Sequence, residues 1–311
     1  MTPVASIFAE LGQSAALILP AVLLAAMAAV PLVAAVTGLS PAKRTKIFRN
    51  KFGQQASTLA LILLPLGLTA AAGAWYAPKP AGLPLALLVN NFYRFSWLPT
   101  EIACVAAALL LTYRAAWQSL KDRKNLHAAI GIVSSLTFFA AAALAAGGAQ
   151  AAMTAKLPAA ARLDAVDLIL FIPPLAIFEM IMTGIALAGA LSFFYLLARR
   201  KADDFGRDYY IYTVALCLRW ASFPTLVLAG LETWRFCGNL APIRSVENLS
   251  SLIWLWPAAP LCGLLAAAVW FAVSRSLTPL RFKELAAGAF ILFYIALSIA
   301  VMANAALLAQ P

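Results

Sequence analysis

The chain has one histidine, His127, and only 12 acidic residues among its 311 positions. A single histidine excludes bis-histidine haem ligation within a helical bundle. It also removes histidine-rich metal clusters and any recognisable catalytic triad. His127 opens an apolar run and reads as an interfacial polar residue. The four cysteines, Cys104, Cys217, Cys237 and Cys262, show no close metal-binding spacing. Three of them lie inside apolar runs, where cysteines act as small packing residues, so no intrachain disulfide is expected. No Gly-rich phosphate loop occurs. No basic stretch precedes the first apolar run, the reverse of a cleavable signal peptide, so that run is expected to persist as a helix. The closing LLAQP carries no lipidation motif.

What the chain has in abundance is apolar length. Hydrophobic residues make up 64% of it, charged residues 11%, and the mean hydropathy is +0.89. Eight apolar runs lie near 14–38, 57–77, 97–113, 127–148, 172–198, 210–231, 252–273 and 285–308. At 1.5 Å per residue, a helix needs roughly 20 residues to cross a hydrocarbon layer of ~30 Å. The fold class is therefore an all-α integral membrane protein with eight transmembrane helices.

Basic residues mark alternate connections. Lys43, Arg44, Lys46, Arg49 and Lys51 follow the first run, and Arg114, Lys121, Arg123 and Lys124 follow the third. Arg199, Arg200, Lys201 and Arg207 follow the fifth, and Arg275, Arg281 and Lys283 the seventh. Sixteen of the 23 Lys and Arg thus fall on four connections. Short loops rich in Lys and Arg stay cytoplasmic, which places both termini outside an inner membrane. The net charge of +11 and pI near 9.8 would otherwise suggest nucleic acid. Topogenic loops facing an anionic leaflet account for the excess, and no nucleic-acid role is expected.

The two halves read against each other as a repeat. Pro20 and Met27 match Pro173 and Met180, Pro65 and Trp75 match Pro224 and Trp234, and Pro99 and Cys104 match Pro257 and Cys262. Four spans per copy give a parallel repeat. The expected organisation is two four-helix transmembrane bundles, 1–150 and 151–311, packed through Ala and Gly positions. The outer stretch 149–171 would join them.

Ionisable groups within spans cost several kcal/mol unless paired or hydrated, so each is a functional candidate. Glu101 lies about one turn into the third run, Glu179 about two turns into the fifth, and Glu232 closes the sixth. Arg219 lies near the middle of the sixth. It reads either as a structural partner reaching toward Glu179 or as a ligand contact. Glu232, with Trp234 and Arg235, reads as interfacial. Glu101 has no cation on its own helix at that depth, although Arg94 could approach it, which makes it a candidate buried proton acceptor. The outer segment NNFYRFSW, with Asn90, Asn91, Tyr93, Arg94 and Trp97, carries aromatics and amides suited either to a membrane belt or to the mouth of a site for a flat amphipathic ring.

Gly12-Gln13 opens the first span, and Ser96, Leu98, Glu101 and Ile102 open the third in SWLPTEI. With eight spans, outside termini and no haem histidines, the chain resembles the haem-free quinone-interacting membrane anchors of complex iron–sulfur molybdoenzymes, of the dimethyl sulfoxide and polysulfide reductase type. The resemblance implies four-helix units and a quinone site toward the outer face. Anchors of the dimethyl sulfoxide reductase type carry a histidine after the second span, where this chain reads GAWYAPKPAG. The proton-accepting role would then pass to Glu101 or Glu179.

The expectation is a membrane anchor subunit of a respiratory oxidoreductase complex. It would bind a menaquinone-like quinone non-covalently and no haem. Glu101 and Glu179 would handle protons, and Gln13, Tyr93, Arg94, Trp97 and Arg219 would line the quinone site. Electrons would pass to or from an iron–sulfur or multihaem cytochrome subunit docked on the outer face. A small-solute or ion transporter and a non-catalytic assembly subunit are the alternatives. Glu101, Glu179 and Arg219 have only alanines at the matching positions Ala259, Ala26 and Ala60. That asymmetry favours one site over a symmetric rocking pathway.

Overall fold

A computed structural model describes residues 3–41, 43–76, 97–120, 123–154, 174–239 and 255–308, with side chains except at 3–10, Lys43, Trp75, Trp97, 149–154 and 305–308. Of the stretch proposed to join the halves, 149–154 form a helix end and 155–171 lie outside the described residues. Eight helices are long and apolar enough to cross a membrane. They are α1 (Pro3–Leu39), α2 (Lys46–Tyr76), α3 (Trp97–Ala115), α4 (Lys124–Thr154), α5 (Pro174–Asp203), α6 (Arg207–Gly238), α7 (Ala258–Arg275) and α8 (Lys283–Leu308). In lipid every backbone N–H and C=O must be satisfied within the segment, which makes an apolar run of this length helical. The same setting tolerates Pro20 and Pro31 inside α1, Pro65 inside α2 and Pro224 inside α6.

Several helices outrun their apolar cores at the end where the basic connections lie, called here the basic end. α2 starts at Lys46, well before the apolar run at 57, and carries Arg49 and Lys51 on its first turns. It continues there because Phe52 and Gln55 are buried against other helices. At this end Gln55 Nε2 donates to Asp203 Oδ2 at 2.6 Å, and Tyr209 donates its hydroxyl to Gln55 Oε1. Arg199 Nη2 clamps the same Asp203 at 2.6 Å. One glutamine thus ties α2 to both α5 and α6.

α1 is the central helix. It packs against α2, α4 and α5, while α3 packs mainly on α4. On the other side α5 packs on α6, α6 on α7, and α7 on α8. One continuous core runs through both halves and includes Met27, Phe52, Leu110, Leu187, Phe193, Trp270 and Phe293. Small residues set the spacing, as expected. A Cβ on Gly189 would lie 2.6 Å from the backbone nitrogen of Ala221 and 2.7 Å from the carbonyl oxygen of Cys217. The α5 and α6 backbones are therefore in direct contact there, a close approach that only glycine permits. Outward-facing Val105, Leu111, Leu136, Phe223, Leu265 and Ile291 are exposed, as a lipid-facing surface requires.

Candidate functional site: a carboxylate–guanidinium cluster opposite the basic end

α5 and α6 form an antiparallel pair around the turn between Asp203 and Arg207. Counting outward from that turn, Glu179 on α5 falls opposite the last turn of α6. There Arg235 Nη2 lies 2.5 Å from Glu179 Oε2. The same guanidinium reaches Glu232 Oε1 through Nη1 at 3.3 Å. The other oxygen of Glu232 accepts the indole N–H of Trp256 at 3.0 Å. Trp256 is fully buried just before α7, with the Phe236 ring edge-on at 6.0 Å. Leu11 of α1 packs into this small cluster together with Ile299, Ala300 and Ala303 of α8. α5 and α6 therefore supply two carboxylates that share one guanidinium, beside a Trp256 cluster to which α1, α7 and α8 contribute.

Glu179 is half paired. Its Oε2 is bound to Arg235, whereas Oε1 is buried and receives no hydrogen bond among the described residues. A buried acceptor without a donor costs about 1–3 kcal/mol. A donor from outside the described fold, such as a ligand hydroxyl or a water, would satisfy it. Arg235 in turn is fixed from two sides, and Trp256 fixes Glu232. The arrangement can hold a donor against Glu179 and take up its proton while Arg235 keeps the site from accumulating two unpaired charges.

Several sequence-derived assignments need correction. Glu179 does not pair with Arg219. From Arg219 to Arg235 is 16 residues along α6, about 24 Å of helix rise. Helical side chains also lean toward the N-terminus, which for α6 is the basic end and therefore away from Glu179. Arg219 is exposed on the same outward stripe as Phe223 and Leu226. Glu101 is exposed rather than a buried acceptor. The inward stripe of α3 is Ala106, Leu110 and Tyr113, and Glu101 shares the outward one with Val105. α3 does not pack on α5, so Glu101 and Glu179 do not form one site. Gln13 is exposed on α1, two residues beyond Leu11. Tyr93 and Arg94, with Asn90 and Asn91, lie outside the described residues, as does the side chain of Trp97.

Sequence reasoning placed Arg235 in an aromatic belt and gave Trp256 no role. Depth counting along the α5–α6 hairpin would have found the first; nothing in the sequence marks the second. Among the described residues, no three His, Cys, Asp or Glu side chains converge as metal ligands would. The four cysteines are free, with Cys217 buried and Cys104 and Cys237 exposed. No protein-family model, curated protein or solved structure matches this chain.

Proposed function

We infer that the chain is the membrane anchor subunit of a respiratory oxidoreductase complex in the inner membrane, with a quinone site at the Glu179–Arg235–Glu232 cluster. The observation that carries this reading is the buried Oε1 of Glu179, which has no partner among the described residues, at the end of the bundle opposite the basic connections. Its chemistry fits a hydroquinone hydroxyl, a neutral donor that a carboxylate accepts well. A bound quinone supplies two-electron, two-proton redox chemistry that no side chain here provides. Glu179 accepts the hydroxyl proton and releases it toward the near surface. Arg235 holds the carboxylate in place, and Glu232 with Trp256 holds Arg235. Electrons pass to or from an iron–sulfur or multihaem subunit docked on that face. The expected organisation remains two parallel four-helix units, 1–150 and 151–311. A solute transporter is the competing reading, but the charged cluster sits near one end of the bundle rather than at its midplane.

The orientation rests on the sixteen basic residues of the four basic connections. Reporter fusions at Lys46, Lys121, Lys201 and Lys283 are expected to score cytoplasmic, and a fusion after Pro311 is not. A cytoplasmic C-terminus would move the cluster to the other face and disconnect it from an outer electron partner. The function itself is tested by quinone content. Gentle extraction of the complex should recover about one menaquinone-like molecule per chain, displaced by a quinone-site inhibitor. Quinone-free protein that is indifferent to the inhibitor would sink the reading.

A further inference from the structure

α6 is flanked by α5 and α7, yet one narrow face of it stays uncovered. From the middle of the helix toward its end, Arg219, Phe223, Leu226 and Gly230 are exposed, while every residue between them is buried or half-buried. Their spacings of four, three and four residues are those of a seam along which a second helix packs.

Arg219 stands deep on that seam. Ser222 Oγ donates to the Ala267 carbonyl oxygen at 3.0 Å, which sets Ser222 level with the middle of α7. α7 rises about 27 Å, close to one hydrocarbon thickness. Arg219 lies one turn before Ser222, about 4.5 Å nearer the basic end. It therefore leaves α6 near the bilayer centre. It makes no hydrogen bond, ion pair or ring contact among the described residues. Cationic side chains within spans face the bundle interior, a water-filled cavity or a paired acid, and they snorkel to the surface from near helix ends. Arg219 faces outward, and α6 continues past it to Arg207 on the basic side.

Gly230 points to a helix rather than lipid as the covering group. A Cβ there would meet nothing within 4 Å, so no helix of this chain needs the missing side chain. Inside a helix, glycine costs about 1 kcal/mol against alanine. On an outward face it lets a second backbone come close. Arg219 is about 16 Å along the helix from Gly230. Helices that cross there at roughly 20° separate by only about 6 Å over that length, within reach of an arginine.

We propose that this seam of α6 docks a membrane-spanning helix of another subunit, with an Asp or Glu near its mid-span paired to Arg219. A second copy of this chain does not suit the seam. A two-fold axis along the membrane normal would set Arg219 against its own counterpart at the same depth, two like charges in a span. The seam shares no residue with the carboxylate cluster and stands whatever that cluster binds.

The test is photocrosslinking in native membranes from p-benzoyl-phenylalanine placed at Phe223, an aromatic for an aromatic, with mass spectrometry of the adducts. A polypeptide adduct whose span carries Asp or Glu is expected. Arg219→Leu should cut its yield about tenfold, the loss of one polar pair between spans. That variant should leave the stability of the purified chain unchanged, because the side chain touches no described residue. The same photoprobe at Ile291, exposed on α8, should give no such adduct. Adducts to lipid alone would overturn the proposal and make Arg219 a snorkelling residue. It is equally overturned by adducts to a second copy of this chain, by a partner span without Asp or Glu, or by a yield that Arg219→Leu leaves unchanged.

Discussion

Glu179→Gln is expected to lower quinol-dependent turnover of the assembled complex about 10²-fold, the low end for positioned acid–base catalysis. Glutamine keeps the shape and can still accept from Arg235, so the bundle should assemble and quinone should be retained. What is lost is the ability of the side chain to take up a proton from the donor that satisfies Oε1. The effect should therefore fall on turnover and leave the apparent affinity nearly unchanged. Glu101→Gln is the internal comparison. That carboxylate faces outward on α3 and touches nothing in the cluster, so turnover should stay at the wild-type level. If Glu179→Gln turns over normally, the cluster is structural. If Glu101→Gln carries the loss instead, the site lies on the outward face of α3.

Arg235→Ala should destabilise the protein by about 3 kcal/mol, the lower end for removing one partner of a buried ion pair. Two carboxylates would be left facing each other, with side-chain exposures of 16% and 15%, and neither would keep a cation among the described residues. The Trp256 bond to Glu232 would remain, but an indole N–H does not neutralise two charges. Adding Glu179→Gln to Arg235→Ala removes one of the orphaned charges. Denaturation of the double variant should recover most of the loss, a coupling that a double-mutant cycle measures directly. Additive losses would mean that Arg235 acts through packing of its stem rather than through its charge.

The eight helices were legible because crossing lipid requires long apolar runs and nothing else in the chain imitates them. Their ends were not. Hydropathy stops at the last apolar residue, whereas α2 extends through KIFRNKFGQQ because Phe52 is buried in the core and Gln55 bonds Asp203 of α5 and Tyr209 of α6. Glu179 stood out as a charge within an apolar run. Its partner was missed because sequence proximity to a short loop says which helices are neighbours but not which residues share a level. The outward position of Glu101 was hidden for a different reason. In a soluble helix a polar stripe reveals the outward face. In α3 the inward Leu110 and outward Leu111 are chemically the same, since lipid and protein interior are both apolar.

The central position of α1 has a consequence for how the chain is made. Its inner face is lined by Ala26, Ala29 and Val30, all nearly inaccessible in the finished fold. Gly184 of α5 sits so close to α1 that a Cβ there would lie 2.9 Å from the Ala25 carbonyl oxygen. α1 leaves the ribosome before α5, which follows only after three other spans have been synthesised. At about 5–20 residues per second that interval lasts roughly ten to thirty seconds. Throughout it, the part of α1 that meets Gly184 of α5 lies open to lipid or to whatever accompanies nascent helices in the membrane. A ribosome that stalls between α4 and α5 would release a fragment with that face still open, the form of this protein most prone to wrong association and to quality-control proteolysis.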